Sequence, residues 1–134
     1  MRAIQAAGRG GYEALRLVDI PPPEPQAGQA LVRVTSAGVT PLDRTVLAGL
    51  HPRATKSPLV PGNEGAGVVM EDPSGRFSAG ERVLFFAGAG GVTQDGTFAE
   101  KERKEYENGI NHIGYCCRPD PRSVGRWVEL ECRH

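Results

Sequence analysis

Charge of either sign is not in excess, since sixteen Lys and Arg balance sixteen Asp and Glu. The chain therefore lacks the clustered cationic surface that neutralises phosphates, which argues against a nucleic-acid partner. No apolar run approaches the roughly 20 residues that cross a bilayer as a helix, so no membrane partner is expected. The opening Met-Arg-Ala-Ile-Gln-Ala-Ala-Gly has no hydrophobic signal core, and the expected location is the cytoplasm. Cysteine is scarce, with three residues, and three thiols in an intracellular chain do not make a disulfide framework. What the chain does have is turn formers, 18 glycines and 11 prolines among 134 residues. That composition points to one small, turn-rich domain rather than to long helices.

The composition changes after Glu100. Residues 1–100 carry 9 basic and 10 acidic side chains, whereas residues 101–134 carry 7 and 6 in a third of the length. Cys116, Cys117, Cys132, Trp127, His112 and His134 all fall in this second part. The chain accordingly divides into a domain over 1–100 and a divergent tail over 101–134.

Within the domain the short apolar runs read as strands. Met1–Ala6 and Glu13–Ile20, separated by Gly8, Gly10 and Gly11, suggest a hairpin. Pro21–Pro25 breaks regular structure and favours an extended link. Ala30–Val34 alternates with apolar residues on both faces, the pattern of a central strand. Pro41–Leu50 changes to a three-to-four spacing through Leu42, Thr45, Val46 and Gly49, which predicts one short helix. Thr40 would cap it, Pro41 would occupy its first turn, Asp43 would favour its positive end and Gly49 would allow the exit. An irregular basic loop over His51–Pro61, a strand over Gly65–Glu71, a turn at Asp72–Gly75, a buried strand over Glu81–Phe86 and the start of another at Gly96–Glu100 follow. The small residues of Gly65–Glu71 allow close backbone approach. Many short strands with one short helix indicate a mainly β, partly open barrel.

The order of these segments carries a resemblance. Gly28–Gly38, Val39–Asp43, Pro61–Val69 (Pro-Gly-Asn-Glu-Gly-Ala-Gly-Val-Val), Phe77–Val83 and Asp95–Glu100 together resemble the front of a medium-chain dehydrogenase/reductase. The resemblance implies the GroES-like catalytic barrel of that superfamily, covering about residues 1–100 and without a Rossmann domain. In full-length members a Rossmann domain follows and supplies most of the cofactor site.

Zinc alcohol dehydrogenases of this superfamily place a Cys where this chain has Thr40 and a His where it has Asn63. A hydroxyl and a neutral carboxamide are not normal zinc ligands, and Leu42 stands where their proton-relay hydroxyl would be. The expected metal content is none. The pattern is similar to the quinone-oxidoreductase branch, which moves a hydride from NADPH to an electron-poor quinone or enone without a metal. By that resemblance Thr40 and Asp43 are the candidate catalytic residues, and Thr40, Pro41 and Asn63 the candidate cofactor-binding residues, with Glu64 beside them. The residues themselves also allow a plainer account, with Asp43 as a helix-start carboxylate and Asn63 and Glu64 as turn residues before a strand.

Three weaker patterns complete the sequence. Gly88–Gly91 lacks the strand-to-helix context of a dinucleotide fingerprint and reads as a loop. Lys101–Glu107 mixes charges as a solvated helix face does. His112, Cys116, Cys117, Cys132 and His134 do not have a standard metal-ligand spacing. After Glu100 the expected continuation of the superfamily is missing, which suggests a truncated or frame-shifted product. The expected function is the substrate-side domain of a zinc-free NAD(P)H-dependent reductase, inactive alone and binding no cofactor tightly. The alternatives are a non-enzymatic interaction module and a non-functional gene remnant.

Overall fold

In the computed structural model, residues 1–86, 89–105 and 113–115 are described. The elements in chain order are β1 (Arg2–Ala6), a 3-10 turn (Gly11–Ala14), β2 (Leu15–Asp19), β3 (Gln29–Ala37), α1 (Pro41–Leu47), β4 (Gly65–Glu71), β5 (Arg82–Phe85), β6 (Lys101–Glu105) and β7 (Ile113–Tyr115). β1 and β2 pair antiparallel as a hairpin, while the other strands form a five-stranded sheet in the order β6-β3-β4-β5-β7. Two isolated bridges, Ala3 with Ala99 and Ala6 with Leu59, tie the hairpin to the rest. The result is the mainly β, partly open barrel expected of a GroES-like domain, with one short helix and no Rossmann fold among the described residues. None of the described helices is long and apolar enough to cross a membrane.

β3 lies between β4 and β6 and is buried over Gln29–Val32, as its two-faced apolar pattern predicts. Register shifts between Leu31 and Val32 and between Val34 and Ser36 bend it against β4. Ala30, Val32, Val69, Phe77, Val83 and Phe85 form one buried cluster on this sheet. A second and smaller cluster, Val46, Ala54, Leu59 and Val92 with Leu42 against it, sits under α1. The turn at Asp72–Gly75 is held by the Asp72 carboxylate, which accepts from the Ser74 and Phe77 N–H groups at 2.8 Å each.

Several boundaries differ from the sequence pattern. Glu13 and Ala14 belong to the 3-10 turn, so the second hairpin strand starts at Leu15. The helix ends at Leu47, because Ala48 is its C-cap and Gly49 turns the chain at φ +75°. Glu81–Phe86 is not buried throughout: Val83 and Phe85 face the core, while Leu84 and Phe86 are exposed, the alternation of a strand with one solvated face. Gly96–Glu100 makes bridges and backbone bonds but is not a named strand, which begins at Lys101. Lys101–Glu105 is a strand on the edge of the sheet beside β3, not a helix face. Charged runs suit an edge strand as well as a helix surface, and non-local pairing with β3 decides between them. The remainder of that run, and Gly88, His112, Cys116, Cys117, Cys132 and His134, lie outside the described residues.

Candidate functional site

Shortly after the end of β3, α1 starts with a capping box. Thr40 is the N-cap, Pro41 follows it in the first turn, and Asp43 reaches back to the cap. The Asp43 Oδ2 atom accepts from the Thr40 N–H at 2.7 Å and from the Thr40 hydroxyl at 2.9 Å. Its Oδ1 accepts from the Gly62 N–H at 3.0 Å. Asp43 is 1 % exposed, so this carboxylate is a bolt between the helix start and the loop that precedes β4. Buried charge is tolerated here because three donors face it.

That bolt brings the two halves of the candidate site together. The Thr40 Oγ1 atom lies 3.4 Å from the Asn63 Oδ1 atom, and both residues are half-buried. Pro41 is exposed, and Glu64 is exposed with its backbone carbonyl accepting from the Gly38 N–H at 3.0 Å. The structure thus brings Thr40, Asp43 and Asn63 into one polar group, with Thr40 hydrogen-bonded to Asp43 and 3.4 Å from Asn63, while Pro41 contributes to it through the helix start.

The loop carrying Asn63 is held from its other side by residues 95–98, a segment whose sequence reads as a strand start and as part of the family resemblance. Thr97 N–H donates to the Gly62 carbonyl at 2.9 Å, Phe98 N–H to the Pro61 carbonyl at 3.0 Å, and Gly96 N–H to the Val60 carbonyl at 2.8 Å. Asp95 accepts from the Val60 N–H at 2.9 Å and pairs with Lys56. Gly62 has φ +95°, and a Cβ there would stand 2.1 Å from the Thr97 hydroxyl oxygen. A Cβ on Gly96 would stand 1.9 Å from the Gly62 carbonyl oxygen. Thr97 is 1 % exposed and its hydroxyl has no hydrogen-bond partner. The Asp95-Gly96-Thr97 motif was visible in the sequence, but its role as the backing of Asn63 depends on a contact spanning more than thirty residues.

Gly90 and Gly91 continue as a turn. The Val92, Thr93 and Gln94 N–H groups converge on the Ala89 carbonyl, and no described helix follows. The donor set at Thr40 and Asn63 does not suit zinc, because the hydroxyl proton is given to Asp43 and a carboxamide is a poor ligand for that ion. Among the described residues, no three His, Cys, Asp or Glu side chains gather as a metal site needs.

Comparison with known proteins gives three findings. A family model described as the alcohol dehydrogenase GroES-like domain matches residues 26–130. Among curated proteins, the chain is 35 % identical over 103 residues to rat quinone oxidoreductase, covering 75 % of this chain and 30 % of that protein. It is 40 % identical over 88 residues to human synaptic vesicle membrane protein VAT-1 homolog-like, covering 64 % of this chain and 21 % of that protein. Among solved structures, the quinone oxidoreductase from Coxiella burnetii superposes with a TM-score of 0.71 at 29 % identity, over 78 % of this chain and 34 % of its own. The human VAT-1 homolog-like structure gives 0.75 at 33 %, over 92 % and 36 %. The sequence therefore spans about a fifth to a third of its curated relatives, and the part shared is their N-terminal, barrel-forming part.

Proposed function

The chain belongs to the alcohol dehydrogenase GroES-like domain family, and on that premise we propose that it is the substrate-side domain of a zinc-independent, NAD(P)H-dependent quinone or enone reductase. Similarity to quinone oxidoreductases supports the reaction class. The observation that carries the metal-free part is the polar group Thr40–Asp43–Asn63. By the resemblance, its Thr40 and Asn63 stand where the zinc-dependent members have ligands, and the Thr40 hydroxyl is hydrogen-bonded to Asp43. NADPH, when bound, supplies the hydride. Thr40 and Asn63 line the wall that faces the nicotinamide, with Pro41 fixing the helix start and Asp43 acting as the positioning residue that holds Thr40 and the Gly62–Asn63 peptide in register.

This half of the cleft offers few contacts. Tight dinucleotide binding relies on a Gly-rich turn and a helix N-terminus under the pyrophosphate, and no such unit occurs among the described residues. The 134-residue chain alone is expected to bind NADPH no better than about millimolar, about 4 kcal/mol, and to leave NADPH unoxidised in the presence of a quinone. Titration calorimetry of the purified chain tests this, and micromolar affinity would refute it. Elemental analysis should find well under one zinc per chain. Stoichiometric zinc that persists after replacement of all three cysteines would remove the metal-free assignment.

A further inference from the structure

From the hydrogen bonds around Thr40 we infer that its hydroxyl is an acceptor-only group toward the cleft, selecting a ligand group that carries an N–H and giving nothing to a carbonyl oxygen. The inference rests on the proposed nicotinamide-facing role of Thr40 and specifies the chemistry of that contact. A threonine hydroxyl has one proton and two lone pairs. The proton has a committed acceptor, the buried Asp43 Oδ2 at 2.9 Å, which is charged and therefore outcompetes the neutral Asn63 Oδ1 at 3.4 Å. One lone pair faces the Asp43 N–H at 3.4 Å, within the capping box. The second is left for the half-buried side shared with Asn63.

Asp43 cannot release that proton to a different use. Its oxygens are already engaged by the Thr40 N–H, the Thr40 hydroxyl and the Gly62 N–H. At 1 % exposure no solvent replaces any of them. Rotating the hydroxyl toward a ligand would leave a buried carboxylate short of a donor, which costs more than one exposed hydrogen bond returns. The capping box thus sets both the helix start and the hydrogen-bonding polarity of the site. A primary carboxamide, with its N–H aimed at Thr40, fits this polarity. A quinone or enone oxygen does not, so Thr40 is not the group that polarises the substrate carbonyl.

Two measurements on the intact 134-residue chain test this. The first needs no ligand: the Thr40 hydroxyl proton, followed by NMR, should exchange more slowly than that of exposed Thr93. Exchange as fast as Thr93 would overturn the inference whatever the chain binds. The second compares nicotinamide with 3-acetylpyridine, in which a methyl ketone keeps the carbonyl and removes the N–H. Nicotinamide should shift the Thr40 and Asn63 amide resonances with an affinity about tenfold tighter, the worth of one hydrogen bond. Thr40→Ser should keep the preference, and Thr40→Val should abolish it without weakening 3-acetylpyridine. Equal affinity of the two compounds in the wild-type chain would refute the acceptor polarity while leaving the wall in place. Failure of both compounds to move these resonances would remove the nicotinamide-facing role itself.

Discussion

The sheet and the ground under α1 are stabilised by different means. On the sheet, six buried residues that include Phe77 and Phe85 pack around β3, β4 and β5, and strand pairing supplies the polar bonds. Under α1 the apolar cluster is four small or medium side chains, Val46, Ala54, Leu59 and Val92. There the chain is held by long-range polar bonds instead: Asp43 to Gly62, Asp95 to Val60, and the backbone of 96–98 to that of 60–62. The cost of a packing change is graded by the volume lost, because neighbours relax partly around a missing methyl, whereas a buried donor left without its acceptor has no such recourse. The candidate site sits in the second region. Its geometry should therefore be stiff toward small displacements and intolerant of single substitutions.

The sharpest break of this comparison is expected at Gly96. An added methyl would meet three backbone atoms, the carbonyl oxygens of Gly62 and Pro61 and the Gly91 nitrogen, all within 2.8 Å, and backbone cannot swing aside as a side chain can. Gly96→Ala should cost on the order of 5 kcal/mol or prevent folding, seen as loss of a cooperative thermal transition. On the sheet, truncation of Phe85, the largest fully buried side chain among the described residues, to Ala should cost about 3–5 kcal/mol. A single methyl at Gly96 proving harmless would mean that the region around the site yields more easily than the core.

Next in size is Asp43→Ala, which strands the Gly62 and Thr40 N–H groups and the Thr40 hydroxyl. The expected loss is about 3 kcal/mol, against about 2 kcal/mol for Val46→Ala one helical turn away. Chemical denaturation of both variants orders them. If Val46→Ala is the costlier, packing rather than polar bonding holds the region under α1. Smaller again is Thr40→Ala, which removes the cap side chain and should cost about 1 kcal/mol. Its effect should largely disappear in an Asp43→Ala background, because both changes sever the same bond.

The contrast between the regions also explains what could be read from the residues in advance. Sheet strands announce themselves by local pattern: Ala30–Val34 with apolar residues on both faces, Gly65–Glu71 with its small residues, Asp72–Gly75 as a turn. The cap at Thr40 and Pro41 is equally local, whereas the candidate positions Thr40, Asp43 and Asn63 came from the family resemblance and not from local pattern. The bond from Asp43 to Gly62, the seating of Thr97 on Gly62 and the tie from Asp95 to Val60 are non-local, and no spacing rule encodes them. Local composition misled at Lys101–Glu105, where a charged run suited to a solvated helix pairs with β3 as a strand. Pairing partners far along the chain override propensity for such segments.

The smallest expected effect lies outside both regions, at the exposed pair Arg2 and Glu100. The Arg2 side chain donates to Glu100 Oε1 at 2.9 Å and its backbone N–H to Oε2 at 3.2 Å, which together hold the Glu100 carboxyl below its ordinary value. A carboxylate whose pKa is lower folded than unfolded contributes stability above its unfolded pKa and loses it as pH falls through the folded one. The pair joins the start of β1 to the segment leading into β6, so it could in principle clamp the hairpin as Asp43 clamps the helix. Solvent screening at this exposed site argues otherwise, since surface pairs of this kind add little. Arg2→Gln should return the Glu100 titration, followed by NMR, most of the way to the ordinary carboxylate value. Unfolding midpoints at pH 7 should barely move, and any small difference from wild type should vanish in acid. A large loss at pH 7 that persists below the Glu100 titration would mean that Arg2 anchors the hairpin through its packing rather than its charge.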